Sequence, residues 1–271
     1  YGSPLYGIKT GLNEAFVIDT PTKERLCRED PRSAELLKPF LEGKDLKRWR
    51  AESRGLWIIY IPIESIQIDQ YPAIHDWLEA FKGKLESRAT KQQWFELQQA
   101  QQNYVKRMIE PKIIYPHFSQ GAKFSSDNVG YLSNNKTFCL NSNDQFLLAL
   151  LNSNVVWLHL KSICPAMRGG VWRLELSAQF VETRPIPAAT NPQRIELGAC
   201  AKAAQTAAEK RQELQQALTR RIPDLAADPA NAKLTVKLKE WWTLPDFASF
   251  QKEVEKALRA RIPLKERNEW E

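Results

Sequence analysis

The stretch PAMRGGVWRLELSAQFVETRPIP, Pro165 to Pro187, decides how the rest of the chain is read. The adjacent glycines Gly169 and Gly170 free the backbone to turn sharply or to approach a partner closely, and Arg168 and Arg173 flank them with Trp172 between. A cation on each side of a permissive backbone suits an anionic polymer. A plain surface turn is the other reading of the same residues. Leu174, Leu176, Phe180 and Val181 then predict a short helix, which Arg184-Pro185-Ile186-Pro187 stops.

Upstream, strand and helix patterns mix without a regular alternation. Ile8 to Asn13 reads as a glycine-punctuated turn that sets Lys9, Thr10 and Asn13 side by side and leads into a strand from Ala15 to Ile18. Ser33 caps a predicted helix through Leu41, closed by Gly43. The following GKDLKRWR groups Lys44, Lys47, Arg48 and Arg50 around Trp49, a loop able to follow a nucleic-acid backbone or simply to sit solvated. Leu56 to Ile61 is almost wholly apolar and predicts a buried strand. Pro72 opens a helix bearing Ile74, Trp77, Leu78, Phe81 and Leu85, and Gln92 to Arg107 predicts a second. A strand over Lys112 to Pro116 leads to short β segments, with Asn134, Asn135 and Lys136 in turn chemistry between them. Phe146 to Leu151 predicts an interior helix capped by Asp144, and Val155 to Ser162 another.

Beyond Pro187 the composition turns rich in Ala, Gln and Glu. Pro192 to Ile222 predicts one long helix with a seam of Leu197, Cys200, Ala204, Ala207, Leu214 and Leu218, and Phe247 to Ile262 a second helix facing it. The expected fold is therefore α+β: a mixed-sheet recognition domain with flanking helices over residues 1–190, followed by a helical hairpin and helical tail over 191–271.

With 271 residues, 43% hydrophobic and 26% charged, the chain can bury a real core, and its net charge of +7 favours anionic partners without specifying one. Cys27, Cys139, Cys164 and Cys200 show no metal-ligand spacing, so scattered thiols in a reducing compartment are expected, with no metal. No apolar run of about 18 residues and no signal pattern occurs, which predicts a cytoplasmic protein without a membrane partner. The opening Tyr1-Gly2-Ser3 lacks an initiator Met, as expected for a piece of a longer polypeptide.

Cofactor-binding and hydrolase signatures are absent. Asp30 with Glu42-Gly43-Lys44 mimics the Asp…Glu-x-Lys arrangement of metal-dependent nucleases, a short and degenerate match. A third reading makes the long helices an assembly module.

Five ordered blocks resemble one family. GIKTGLNEAFVID (Gly7 to Asp19), ELLKPFLEGKDLKRWR (Glu35 to Arg50), PKIIYP (Pro111 to Pro116), FLLALLNSNVVWLHL (Phe146 to Leu160) and RGGVWRL…FVETRPIP (Arg168 to Pro187) together look like the target recognition domain of TaqI-like adenine-specific DNA methyltransferases, including the combined type IIG restriction-modification enzymes. Lys239 to Glu271 looks like the helical tail after that domain. The resemblance implies duplex DNA as partner. It also implies an N-terminal methyltransferase domain of the same polypeptide, with or without an endonuclease, to bind S-adenosylmethionine and carry the chemistry. Here Asn191-Pro192-Gln193 fails the catalytic Asn/Asp-Pro-Pro-aromatic motif, so this chain is expected to be non-catalytic and to hold no cofactor.

Reading bases needs amides and guanidinium groups on stiff strands, with Lys and Arg placing the protein on phosphates. The candidates are Lys9, Thr10, Asn13, Lys44, Lys47, Arg48, Arg50, Asn134, Asn135, Lys136, Arg168 and Arg173.

Overall fold

Lys112-Ile113-Ile114-Tyr115-Pro116 is buried at every position. A strand that apolar belongs at the centre of a sheet covered on both sides. In the computed structural model, which describes residues 2–167, 172–266 and 270, it pairs antiparallel with Thr137–Leu140 on one side and Ser125–Asp127 on the other. Leu5–Tyr6 and Trp49–Arg50 complete the five strands, the latter in parallel. Successive side chains leave a strand on opposite faces. Ile114 accordingly joins one core with Phe40, Ile58 and Leu78, whereas Ile113 and Tyr115 join another with Leu147, Leu151 and Leu160.

A second mixed sheet, ordered Val17–Asp19, Leu56–Ile59, Leu37–Leu41, Leu132–Ser133, packs into the first core. Its third strand replaces the helix expected from Ser33 to Leu41, since only Ser33–Leu36 is helical. Pro39 explains the difference: in a helix it would clash with the carbonyl four residues back, whereas in this strand it precedes the two residues, Phe40 and Leu41, that pair with Leu132–Ser133. Asn13–Phe16 forms one helical turn, so the strand expected from Ala15 begins at Val17. The helix expected over Gln92 to Arg107 is not there; only Val105–Met108 is helical. Leu97 N–H instead donates to Ile61 O at 2.9 Å, and the Arg88 guanidinium donates to the carbonyls of Thr10, Trp94 and Glu96. Tertiary hydrogen bonds thus outcompete a weak local preference.

A third sheet joins Ala166–Met167, Arg173–Glu175 and Phe118–Ser119. Its middle strand takes the place of the helix expected to begin at Leu174, and the helix runs instead over Ala178–Glu182. Gln145–Leu151 is the expected interior helix, with the Asp144 carboxylate accepting from Phe146 N–H at 2.9 Å. No single helix among the described residues is long and apolar enough to cross a membrane, and all four cysteines are free thiols.

The chain forms two compact units, 1–205 and 206–271, the cut falling within the long helix Asn191–Arg221. Ala201 belongs to the second core of the first unit. Leu197 and Leu214 are exposed, so the predicted seam is not a continuous buried stripe. The second unit has its own small core of Ile222, Leu238, Phe250, Val254, Ile262 and Trp270, with Phe247–Leu258 as its amphipathic helix.

One buried ion pair ties the central sheet together. Lys112 Nζ donates to Asp127, and both side chains are wholly excluded from solvent. Asp127 also accepts from the backbone N–H groups of Val129, Gly130 and Tyr131 at 2.9, 3.1 and 3.0 Å. Removing one member of such a pair strands the other charge. Asp127→Ala should therefore lower stability by about 3–5 kcal/mol, read from urea midpoints. Ser126→Ala, which deletes a neighbouring buried hydroxyl without a hydrogen-bond partner, should be close to neutral and serves as the control.

Candidate functional site

The three sheets meet at a cavity of about 390 Å³. The second sheet leads into it twice: Leu37–Leu41 runs on to Glu42, Gly43 and Lys44, and Leu132–Ser133 to Asn134 and Lys136. The central strand ends in it at Pro116, and the third sheet supplies Phe118 and Arg173. Asn13 and Lys123 complete the lining. Five residues singled out from the sequence, Asn13, Lys44, Asn134, Lys136 and Arg173, thus come together from distant parts of the chain.

Asn134 is the most enclosed of these, at 6% exposure. Its N–H donates to Leu41 O at 3.3 Å, its carbonyl accepts from Thr137 N–H at 3.1 Å, and its Oδ1 accepts from Lys136 N–H at 3.2 Å. The segment beside it needs a glycine, because a Cβ on Gly7 would lie 2.0 Å from the Asn134 carbonyl oxygen. Ile8 N–H donates to Ser133 O at 2.7 Å, so the N-terminal strand clasps the turn. Thr10 is 4% exposed, which removes it from the surface; its hydroxyl donates to Asn13 Oδ1 at 2.6 Å and so orients that amide. Lys9 is half-buried and pairs through its backbone with Gln99, outside the cavity lining.

Lys44 is presented by a tight turn, Gly43–Asp45, closed by reciprocal bonds between Glu42 and Asp45. Arg54 locks it, donating to Asp45 Oδ1 at 2.5 Å and Glu42 Oε2 at 2.6 Å, while Lys44 Nζ lies 3.0 Å from Glu42. Burial alone would raise the Glu42 carboxyl, but Lys44 and Arg54 outweigh it and hold it below the ordinary 4.5. In the nuclease-like grouping, Glu42 is paired with Arg54 and Lys44, and Asp30 Oδ1 pairs with Arg32 at 3.0 Å while its Oδ2 is buried without a hydrogen-bond partner among the described residues. Among the described residues, the one group of three or more potential metal ligands is His75, Asp76 and Glu79 on the helix Pro72–Glu79, which includes neither Asp30 nor Glu42.

The rest of the basic loop divides. Lys47 lies near Lys123, whose ammonium is pushed below its usual value by burial first and by Lys47 second. Arg48 donates to Asn152 O at 2.5 Å and covers the Trp49 ring at 5.2 Å, which ties it to the scaffold. Arg50 donates to Ala51 O at 3.4 Å. Asn135 sits half-buried between Asn134 and Lys136 without lining the cavity, and Arg168 lies outside the described residues. Sequence reasoning missed Lys123 and Phe118. Lys123 is held because the Asn152 side chain brackets the backbone of Phe124, accepting from its N–H at 3.2 Å and donating to its carbonyl at 2.8 Å.

Residues 38–179 match the family of TaqI-like C-terminal specificity domains. Residues 190–271 match a family described as a domain of unknown function. No curated protein matches. Among solved structures, the type IIL restriction-modification enzyme MmeI in complex with DNA is similar to 99% of this chain, with a TM-score of 0.57 at 15% identity. This chain spans 34% of the length of that one. At so low an identity the likeness carries the fold alone.

Two outcomes follow from the geometry. Gly7→Ala should force the clasp off the Asn134 turn and cost about 1–3 kcal/mol, measured as a fall in the denaturation midpoint. The Glu42 carboxyl is depressed in the folded state, so its contribution is present above the ordinary 4.5 and lost as pH falls through the folded value. Stability should accordingly drop on acidification below pH 4.5, and in Glu42→Gln that component of the drop should be missing from the pH titration of the unfolding midpoint.

Proposed function

This chain belongs to the family of TaqI-like C-terminal specificity domains, and from that membership we propose that it reads duplex DNA for a restriction-modification enzyme, with the cavity between the three sheets as its reading surface. The observation that carries the reading is the convergence of four cations, Lys44, Lys123, Lys136 and Arg173, with two amides, Asn13 and Asn134, at one concavity. Cations place a protein on phosphates, and amides held on stiff strands can discriminate base edges.

In the finer form of the proposal, the parent polypeptide methylates adenine and the chemistry belongs to a domain outside this chain. By this proposal the cavity does not take S-adenosylmethionine, because its ammonium and guanidinium groups disfavour a cofactor whose reactive centre is itself a sulfonium cation. The role of this chain is to set where on the duplex a separate catalytic domain acts.

Fluorescence anisotropy with duplex DNA over a range of salt concentrations tests the reading. Affinity should fall linearly on log–log axes. The triple variant Lys123→Glu, Lys136→Glu, Arg173→Glu should bind more weakly at every salt concentration, with a slope shallower by about 0.9 for each phosphate it no longer neutralises. Absence of duplex binding at low salt, or unchanged binding in the triple variant, would overturn the proposal. Adenine N6-methylation by a polypeptide that also carries the catalytic domain tests the finer form.

A further inference from the structure

On the reading of this cavity as a DNA-reading surface, we infer that it selects guanine, because the side chains it offers are mainly donors and its side-chain oxygens already have partners inside the protein. Asn134 shows this most clearly. An amide normally offers one acceptor and two N–H donors, and its orientation must be deduced from its partners. Here Oδ1 accepts from the backbone N–H of Lys136, a group that can only donate, so the orientation is fixed. The Nδ2 donors remain for the cavity, with no protein partner among the described residues. Asn13 Oδ1 accepts from the hydroxyl of the buried Thr10, a partner that can also accept, so the amide whose orientation is fixed is that of Asn134. Lys123, Lys136 and Arg173 are donors by nature. The remaining side-chain acceptor of the lining, Glu42, is held by Arg54 at 2.6 Å and Lys44 at 3.0 Å.

In the major groove each base presents a distinct edge. Adenine shows the acceptor N7 beside the donor N6, cytosine the donor N4, thymine the single acceptor O4 beside a methyl group, and guanine two acceptors, O6 and N7. Against a donor-rich surface the amino groups of adenine and cytosine would face other N–H groups and be left unpaired on desolvation, which is costly. Guanine can take two donors at once. The familiar asparagine–adenine pair needs Oδ1 on N6 and Nδ2 on N7, and in Asn134 Oδ1 is already engaged by the Lys136 N–H. Asn134, 6% exposed, and Arg173, exposed on its strand, both line the cavity, and they are the two groups we assign to O6 and N7.

The experiment is selection of bound duplexes from a randomised library with the 271-residue chain, followed by anisotropy on the selected site with each guanine replaced in turn by 7-deazaguanine. That analogue pairs normally and carries C–H in place of N7. The selected site should contain a guanine whose replacement weakens binding about tenfold while the salt slope stays unchanged. Asn134→Asp keeps an oxygen for the Lys136 N–H and exchanges the outward donors for an acceptor, so preference should shift by about tenfold or more from guanine toward cytosine or adenine. Should that variant fail to fold, Arg173→Ala leaves the turn intact and should also blunt the sensitivity to 7-deazaguanine. A selected site without guanine, or indifference to 7-deazaguanine at every position while salt-dependent binding persists, overturns the guanine assignment alone. Loss of all duplex binding by the unaltered chain overturns the DNA-reading role itself.

Discussion

The buried pair of Lys112 and Asp127 is the constraint from which the geometry of the site follows. Taking both charges out of water costs several kcal/mol each, and mutual attraction rarely returns more than that. Its consequence is positional. One Asp127 carboxylate receives the lysine and three successive backbone amides, so the chain leaving the central sheet must turn at residues 129–131 and enter the neighbouring sheet at Leu132–Ser133. Asn134 and Lys136 are the next residues that chain delivers. In the other direction the same strand, Ser125–Asp127, pairs with Trp49–Arg50, at the end of the loop that began with Lys44. Two of the segments that line the cavity are thus tied to that ion pair.

Part of this was legible in the sequence. An uninterrupted apolar run predicts the central strand at Lys112–Pro116, and the capped interior helix at Gln145–Leu151 and the long helix from Asn191 follow from equally local signals. Where local signals were weak, tertiary partners decided. Gln92 to Arg107 has a mixed face that a helix could use, yet Arg88 and the edges at Lys9 and Ile61 claim its carbonyls and amides first. Between Ser33 and Leu41 the sequence did hold the answer, in Pro39, and the apolar spacing concealed it.

The site divides in the same way. Asn13, Lys44, Asn134, Lys136 and Arg173 could be named by residue type, since donors on turns are what a polyanion needs. Nothing in one dimension separates Thr10, which works from inside by holding Asn13, from a hydroxyl that faces solvent. Lys123 is a single cation after Gly121-Ala122, without a neighbour in sequence to mark it. It lines the cavity beside a backbone that Asn152, a helix away, holds at Phe124.

Donors alone do not make a surface selective, because phosphate oxygens accept hydrogen bonds as readily as guanine does. Exposure separates the two. Lys44, Lys136 and Arg173 are exposed, where water can compensate an imperfect contact and a phosphate is held by charge. Asn134 has 6% exposure, where a group that docks must shed its water and an unmatched N–H is not rescued. On the proposed reading, the same donor chemistry would tolerate any sequence where Lys44, Lys136 and Arg173 are exposed and would penalise the wrong base edge at the enclosed Asn134. That division requires the Asn134 amide to be rigid, and the rigidity comes from its bond to Lys136 N–H, the Leu41 and Thr137 contacts of its backbone, and the missing side chain of Gly7.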